Sequence, residues 1–290
     1  MVVNSERITE NNSNGNQATA GEIAALIEEI APVSIQMSFD NSGFLVGSRE
    51  SKVDRVMLAL EVSDEVIKDA IKQECQMIIT HHPLIFHAEK SVTADTYQGK
   101  LLLRLISSGI ALYSSHTPLD AAPGGCNDVL CDMFGLKDVC GIVPLGRSGE
   151  REYFCARVGS VDATVQELAL TACKGLGADR VSVVDCGKRI RRLAVCSGSG
   201  GGILNECIAA GADALLTGEL SYHEALALRE AGISAIICGH YQTEVPVLNS
   251  LLGHLQKRIN VLKYNTDAVI TSVVTDPYCV YTLGGVNIDR

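Results

Sequence analysis

The chain has 290 residues, 47% of them hydrophobic, and a formal net charge of −10. That length gives room for one large or two ordinary domains with a substantial core, and the acidic balance argues against a general nucleic-acid binder, which needs clustered Lys and Arg. Eleven cysteines, with no CxxC pair and no signal sequence, read as reduced thiols of a cytoplasmic protein, and no apolar run approaches the length of a membrane span.

Residues 1–19, rich in Asn, Ser, Gln and Glu, lack a hydrophobic period and predict a disordered tail. Ile23, Leu26, Ile27 and Ile30 recur at helical spacing, so residues 21–30 predict a helix that Pro32 closes. Residues 39–47 read as a turn opening into a short strand, with Asp40 and Asn41 expected to make local turn bonds. A strand over 56–60, a helix over 64–73 started by Ser63, and a strand over 77–80 follow. A helix near 99–107 and a strand over 110–115 come next. This βαβαβ order predicts a parallel sheet.

The first half is expected to span 20–140 and the second 141–290, with a C-terminal segment free to pack back on the first. The second half opens with a predicted β-α-β over 152–158, 164–174 and 180–185. The basic run Lys188-Arg189-Ile190-Arg191-Arg192 reads as a solvated face. Setting Val56–His82 against Leu193–Glu219 gives a constant offset of 137 residues (218 − 81), with Ile78-Ile79-Thr80 falling on Leu215-Leu216-Thr217. The expected architecture is therefore two related three-layer α/β halves with mainly parallel sheets.

Three apolar strand candidates end in histidine: Met77–Thr80 before His81-His82, 110–115 before His116, and 233–239 before His240. Ligand sites in open α/β sheets lie outside the carboxyl ends of the strands. His116 is followed four residues on by Asp120, and His240 by Glu244, a repeat of His-x3-acid after matching strands. Neutral imidazole with carboxylate suits Zn, Mn, Fe or Ni, and a carboxylate can bridge two ions. Four histidines and two acids exceed the needs of one tetrahedral ion, so we read a two-metal centre in the cleft between the halves. The loop Cys196-Ser197-Gly198-Ser199-Gly200-Gly201-Gly202 lies between a strand and a helix, where backbone amides can hold an anion such as phosphate. Ser197, Gly198 and Ser199 are the expected substrate contacts, with Glu219 and His223, four apart, at the pocket rim.

Several of these segments resemble the GTP cyclohydrolase 1 type 2 homologue family, also called Nif-three-like or YbgI-like. They are Asp40-Asn41, Met77–Phe86, Tyr113–Asp120, Gly124–Asp128, Cys196–Gly200, Gly211-Ala212-Asp213 with Thr217-Gly218-Glu219, and Gly239–Glu244. The likeness runs in order over roughly residues 21–280. It implies a two-half α/β fold, a dinuclear metal centre and a ring-shaped homo-oligomer, often hexameric. Carried over by position, it implies His81, His82, Asp120, His240 and Glu244 as metal ligands, with Glu244 bridging. The chain departs from the family pattern at Phe39 and Glu61, where Trp and Asp are usual.

The expected chemistry is hydrolysis of a small, nucleotide-like substrate, in which hydroxide generated at two divalent ions attacks and a histidine, His116 or His223, shuttles the proton. For GTP cyclohydrolase action the attack falls on C8 of the purine and formate leaves. A phosphoester hydrolase on the same centre, or a metal-binding regulatory or adaptor protein without turnover, fits the same pattern.

Overall fold

A computed structural model describes residues 16–282 and 285–286, which build one sheet, then a second, and then return to the first. Of the expected tail, residues 1–15 lie outside the described residues. Residues 16–19 depart from that expectation: Asn16 bridges Tyr264, Ala18 is fully buried, and Thr19 starts a helix.

Helix α1 (Ala20–Glu28) opens on a capping box, in which the Thr19 side chain accepts from the Glu22 amide and Glu22 accepts from the Thr19 amide. Then come β1 (Gly43–Val46), β2 (Arg55–Ala59), α2 (Asp64–Lys72), β3 (Met77–Thr80), α3 (Tyr97–Ser107), β4 (Ala111–Ser114), α4 (Thr117–Ala121) and α5 (Cys126–Met133). A long hairpin of β5 (Lys137–Ser148) and β6 (Arg151–Ala163) leads into α6 (Val165–Gly175), β7 (Ser182–Val184), β8 (Ile190–Ser199) and α7 (Leu204–Ala209). The second half closes with β9 (Ala214–Glu219), α8 (Tyr222–Glu230) and β10 (Ser234–Ile237). Helices α9 (His240–Glu244) and α10 (Val247–Leu262) carry the chain back to β11 (Asp267–Ile270), and β12 (Tyr281–Thr282) pairs with β13 (Gly285–Val286).

The first sheet has the order β1-β4-β3-β2-β11, parallel except for β1. The second, β5-β6-β8-β9-β10-β7, is parallel only across β8, β9 and β10. Both halves are α/β as expected; parallel pairing dominates the first sheet, while the second is mixed. The strand, helix and strand expected at the start of the second half are present as β6, α6 and β7, but the two strands do not form an adjacent pair: β6 pairs with β5 and β8, while β7 lies on the far edge. Strand β5, carrying Gly141, Pro144 and Gly146, is mostly solvent-facing and broken by register shifts, so it has no alternating pattern to read.

Alternation places successive side chains on opposite sheet faces. Val56 and Leu58 pack into one core with α1 and α10, and Met57 and Ala59 into another with α2 and α3. In the second half Leu193 and Val195 join α5 and α6, while Ala194 and Cys196 join α7 and α8. Each half is thus a three-layer sandwich. The order and sense of β8-β9-β10 repeat β2-β3-β4, and each trio carries an antiparallel strand, β7 or β1, against its third member.

Asn127, fully buried, joins the halves. Its Nδ2 donates to the carbonyls of Asp120 (3.0 Å) and Cys155 (2.7 Å), and its Oδ1 accepts from the Ser197 amide (2.8 Å). Asn127→Leu keeps the volume but strands three buried backbone groups, each worth about 1–3 kcal/mol when unpaired. We expect a loss on the order of 4 kcal/mol, read as a lowered denaturant midpoint at unchanged slope.

Candidate metal centre

The three histidine-bearing strands end side by side at the cleft. Beyond β3, His81 is buried and His82 half-buried. The ring centroids of His81 and His82 are 4.8 Å apart, those of His81 and His116 5.2 Å, and those of His82 and His240 5.4 Å. Glu244 reaches the middle of the cluster from α9 and is 3% exposed.

In each ring one nitrogen is fixed by the scaffold. His81 Nδ1 bonds the Ser115 carbonyl at 3.0 Å, and His116 Nδ1 bonds Asp40 at 2.9 Å. His82 Nδ1 faces Glu61 at 3.4 Å, and His240 Nδ1 faces Glu219 at 3.2 Å. An acceptor at Nδ1 sets the tautomer so that Nε2 presents its lone pair, the arrangement that orients metal-ligating histidines.

The Nε2 atoms converge on carboxylate. Those of His82 and His240 are each 3.1 Å from Glu244, and that of His81 is 3.6 Å from Glu244 and 3.7 Å from Asp120. His81 Nε2 and Glu244 Oε2 are buried and make no hydrogen bond within the protein. His82 approaches that Oε2, but outside hydrogen-bonding geometry. Lone pairs aimed at a carboxylate from three sides need either extra protons or a cation between them.

Electrostatics carry the same message. Burial opposes the charged form of His82, yet Glu244 and Glu61 outweigh it and lift the ring to about 10. Bonding to Glu244 raises His240 to about 9 against its burial, with Glu219 assisting. His81 is raised too, burial being overcome by Asp120 and Glu244. Burial would push Glu244 up, but His81, His240 and His82 hold it well below the carboxylate range.

Among the described residues, three sets of ligand atoms lie within 4.8 Å of one another: His81, His82 and His116; His81, Asp120 and Cys126; and His82, His240 and Glu244. These donors fit divalent transition ions. Gly198, at φ +59, makes room for them: a Cβ there would run into Glu244 Oε1 and stand 3.2 Å from His240 Nε2. Gly198→Ala should cost about 1–2 kcal/mol in the left-handed conformation and displace Glu244. The expected result is a lower melting temperature together with reduced ion content on elemental analysis.

Other expectations need correction. The Ser197, Gly198 and Gly200 amides do not face a ligand: they donate to Asn127 Oδ1, Thr243 Oγ1 and Thr217 Oγ1. The anion cradle is therefore absent at those positions, and Ser197 Oγ instead donates to Asp120 Oδ1 at 3.0 Å. His223 is exposed on the first turn of α8 with its ring against Tyr222, and among the described residues it is in none of the ligand-atom sets, so it is not one of the residues the structure brings together. Ser199 and Glu219 do border a cavity of about 890 Å³ that His82 and His240 also line.

Asp40 exceeds the turn role expected of it. Its side chain is fully buried and, besides its bonds to Asn41 and Ser42, accepts from the Thr117 amide and hydroxyl and from His116. Burial would raise this carboxyl, but those bonds hold it well below its usual range. Glu61 and Cys126 were likewise not legible as parts of the cluster, since nothing in their local sequence marks the long-range contact.

Fold and site together define a two-sheet α/β protein with a histidine–carboxylate cluster able to hold metal at the cleft between its halves. Residues 18–277 match the Duf34/NIF3 (NGG1p interacting factor 3) family, and the chain belongs to it. It is 34% identical over 269 residues to the GTP cyclohydrolase 1 type 2 homolog of Clostridium acetobutylicum, covering 89% of this chain and 97% of that one. It is 29% identical over 272 residues to the Protein NIF3 homolog of Schizosaccharomyces pombe, covering 89% and 96%. The crystal structure of Staphylococcus aureus hypothetical protein SA1388 superposes with a TM-score of 0.83 at 27% identity, over 92% of this chain and 100% of that one.

Proposed function

We propose that the chain is a metal-dependent hydrolase that holds two divalent ions between its halves and acts on a small, nucleotide-like molecule. The observation that carries this reading is the set of anchored imidazoles whose Nε2 atoms converge on Glu244, with buried His81 Nε2 and Glu244 Oε2 unbonded. His82 and His240 would hold one ion, His81 and Asp120 the other, and Glu244 both. Ions so held would supply Lewis acidity and an activated water near neutral pH.

The chain's own residues do the rest. Asp40 fixes the His116 ring beside His81 and His82, leaving its second nitrogen for proton transfer at the reacting centre. The cavity of about 890 Å³ runs from His82 and His240 to Arg180 and Tyr278, within the size range of small-molecule sites. Arg180 offers charge to an anionic group and Tyr278 a ring face to a planar one.

Protein loaded in turn with Zn, Mn, Fe or Ni, with bound ions counted, should be assayed against nucleotides and phosphoesters, formate release being measured alongside phosphate. Metal-dependent turnover with about two ions bound is expected. Two ions without turnover on the panel would leave a metal-binding regulatory protein, and no ion bound would overturn the reading.

A further inference from the structure

The Cys126 thiol is 1% exposed at the first residue of α5. Its sulfur, a nitrogen of His81 and a carboxylate oxygen of Asp120 lie mutually within 4.8 Å, and His81 Nε2, 3.7 Å from Asp120, is buried and makes no hydrogen bond. We propose that Cys126 is a thiolate ligand, so that the two metal positions differ in chemistry: His81, Asp120 and Cys126 around one ion, His82 and His240 around the other, with Glu244 shared between them. The proposal rests on the two-ion reading above.

Metal–sulfur bonds of about 2.3 Å and metal–nitrogen or –oxygen bonds of about 2.0–2.2 Å place the ligand atoms of one tetrahedral ion roughly 3.5 Å apart. Drawing this trio together therefore takes small side-chain movements. Binding breaks the S–H bond, releases its proton to solvent and forms the sulfur–metal bond, with no change of oxidation state. A thiolate makes this position soft, favouring zinc or ferrous iron over magnesium, calcium or manganese, while the His82 position stays purely nitrogen and oxygen. The competing role for Cys126 is an S–H donor to the Asp120 carboxylate, which a serine would reproduce.

Cobalt(II) distinguishes the two, because only a thiolate ligand gives sulfur-to-cobalt charge transfer in the near ultraviolet. Titration of the intact, metal-free protein should show that band saturating with one of the two cobalt equivalents. Cys126→Ser should lose the band and weaken zinc at one position by at least about tenfold, while Cys155→Ser keeps it. Two cobalt ions bound to the unsubstituted protein without the band, a result independent of how any variant folds, would overturn the proposal and leave the hydrolase reading standing. A band that survives in Cys126→Ser would also overturn it. No cobalt bound at all would overturn both.

Discussion

Glu244→Ala is expected to strip both ions from the protein, whereas His116→Ala keeps most of them. One carboxylate serves three imidazoles: Oε1 lies 3.6 Å from His81 and 3.1 Å from His240, and Oε2 lies 3.1 Å from His82. His116 approaches the cluster from its edge, with Nδ1 already committed to Asp40. Losing an orienting or proton-shuttling group typically costs about 10–100-fold in affinity or activity. Losing a group that would be shared by both proposed ions should bring bound metal near zero after dialysis. The metal-free protein suffers too, since removing one partner from a buried charged set costs about 3–5 kcal/mol. Elemental analysis and denaturant unfolding of both variants check this. Equal or reversed metal losses would make His116 a ligand in its own right.

Metal affinity should rise at least about a hundredfold per pH unit near neutrality, because each proton displaced on binding contributes about tenfold. With His82 at about 10 and His240 at about 9, both rings are charged in the metal-free protein at neutral pH and both must lose a proton to the ion. The sign for folding is opposite. These pKa values lie above the ordinary 6.5, so the stability they confer is fully present below 6.5 and is lost as pH rises through 9 to 10. Glu244, held below its ordinary 4.5, gives stability that is present above 4.5 and is lost as pH falls through its depressed value. Raising the pH thus weakens the metal-free fold while strengthening the ion's grip. Calorimetric titration in buffers of different ionisation enthalpy should count about two protons released from His82 and His240, with a further one from the Cys126 thiol where it ligates; a count near zero would mean the rings are neutral before the ion arrives.

Much of this site could be read from the residues alone. Strand ends are marked by short apolar runs, and His81, His82, His116 and His240 fall just past three of them, so convergence follows from parallel-sheet geometry. The His-x3-acid spacing placed Asp120 and Glu244 as well. The supporting groups were less legible. Asp40 meets His116 across 76 residues of sequence, and Asn127 meets Ser197 across 70, contacts that no local pattern encodes. The glycine loop misled because glycine marks close approach as readily as ligand binding: a Cβ on Gly198 would run into Glu244 Oε1 and stand 3.2 Å from His240 Nε2, so it is α9 that needs the space. The β5–β6 hairpin escaped because an exposed ribbon with bulges carries no hydrophobic period.

The chain crosses between its sheets twice, and the cluster sits on both crossings. Outbound, the 120–127 segment leads into α5, whose Cys126 belongs to the first core while Leu130 and Cys131 belong to the second. On the return, α9 lies against β8 and β9 and hands the chain to α10, which covers the first sheet. Ions gripped by Asp120, Glu244 and the strand-end histidines would rivet the two passages together and make the halves melt as one cooperative unit. Chelation should then split a single calorimetric transition into two, the earlier one belonging to whichever sheet loses its neighbour's support first.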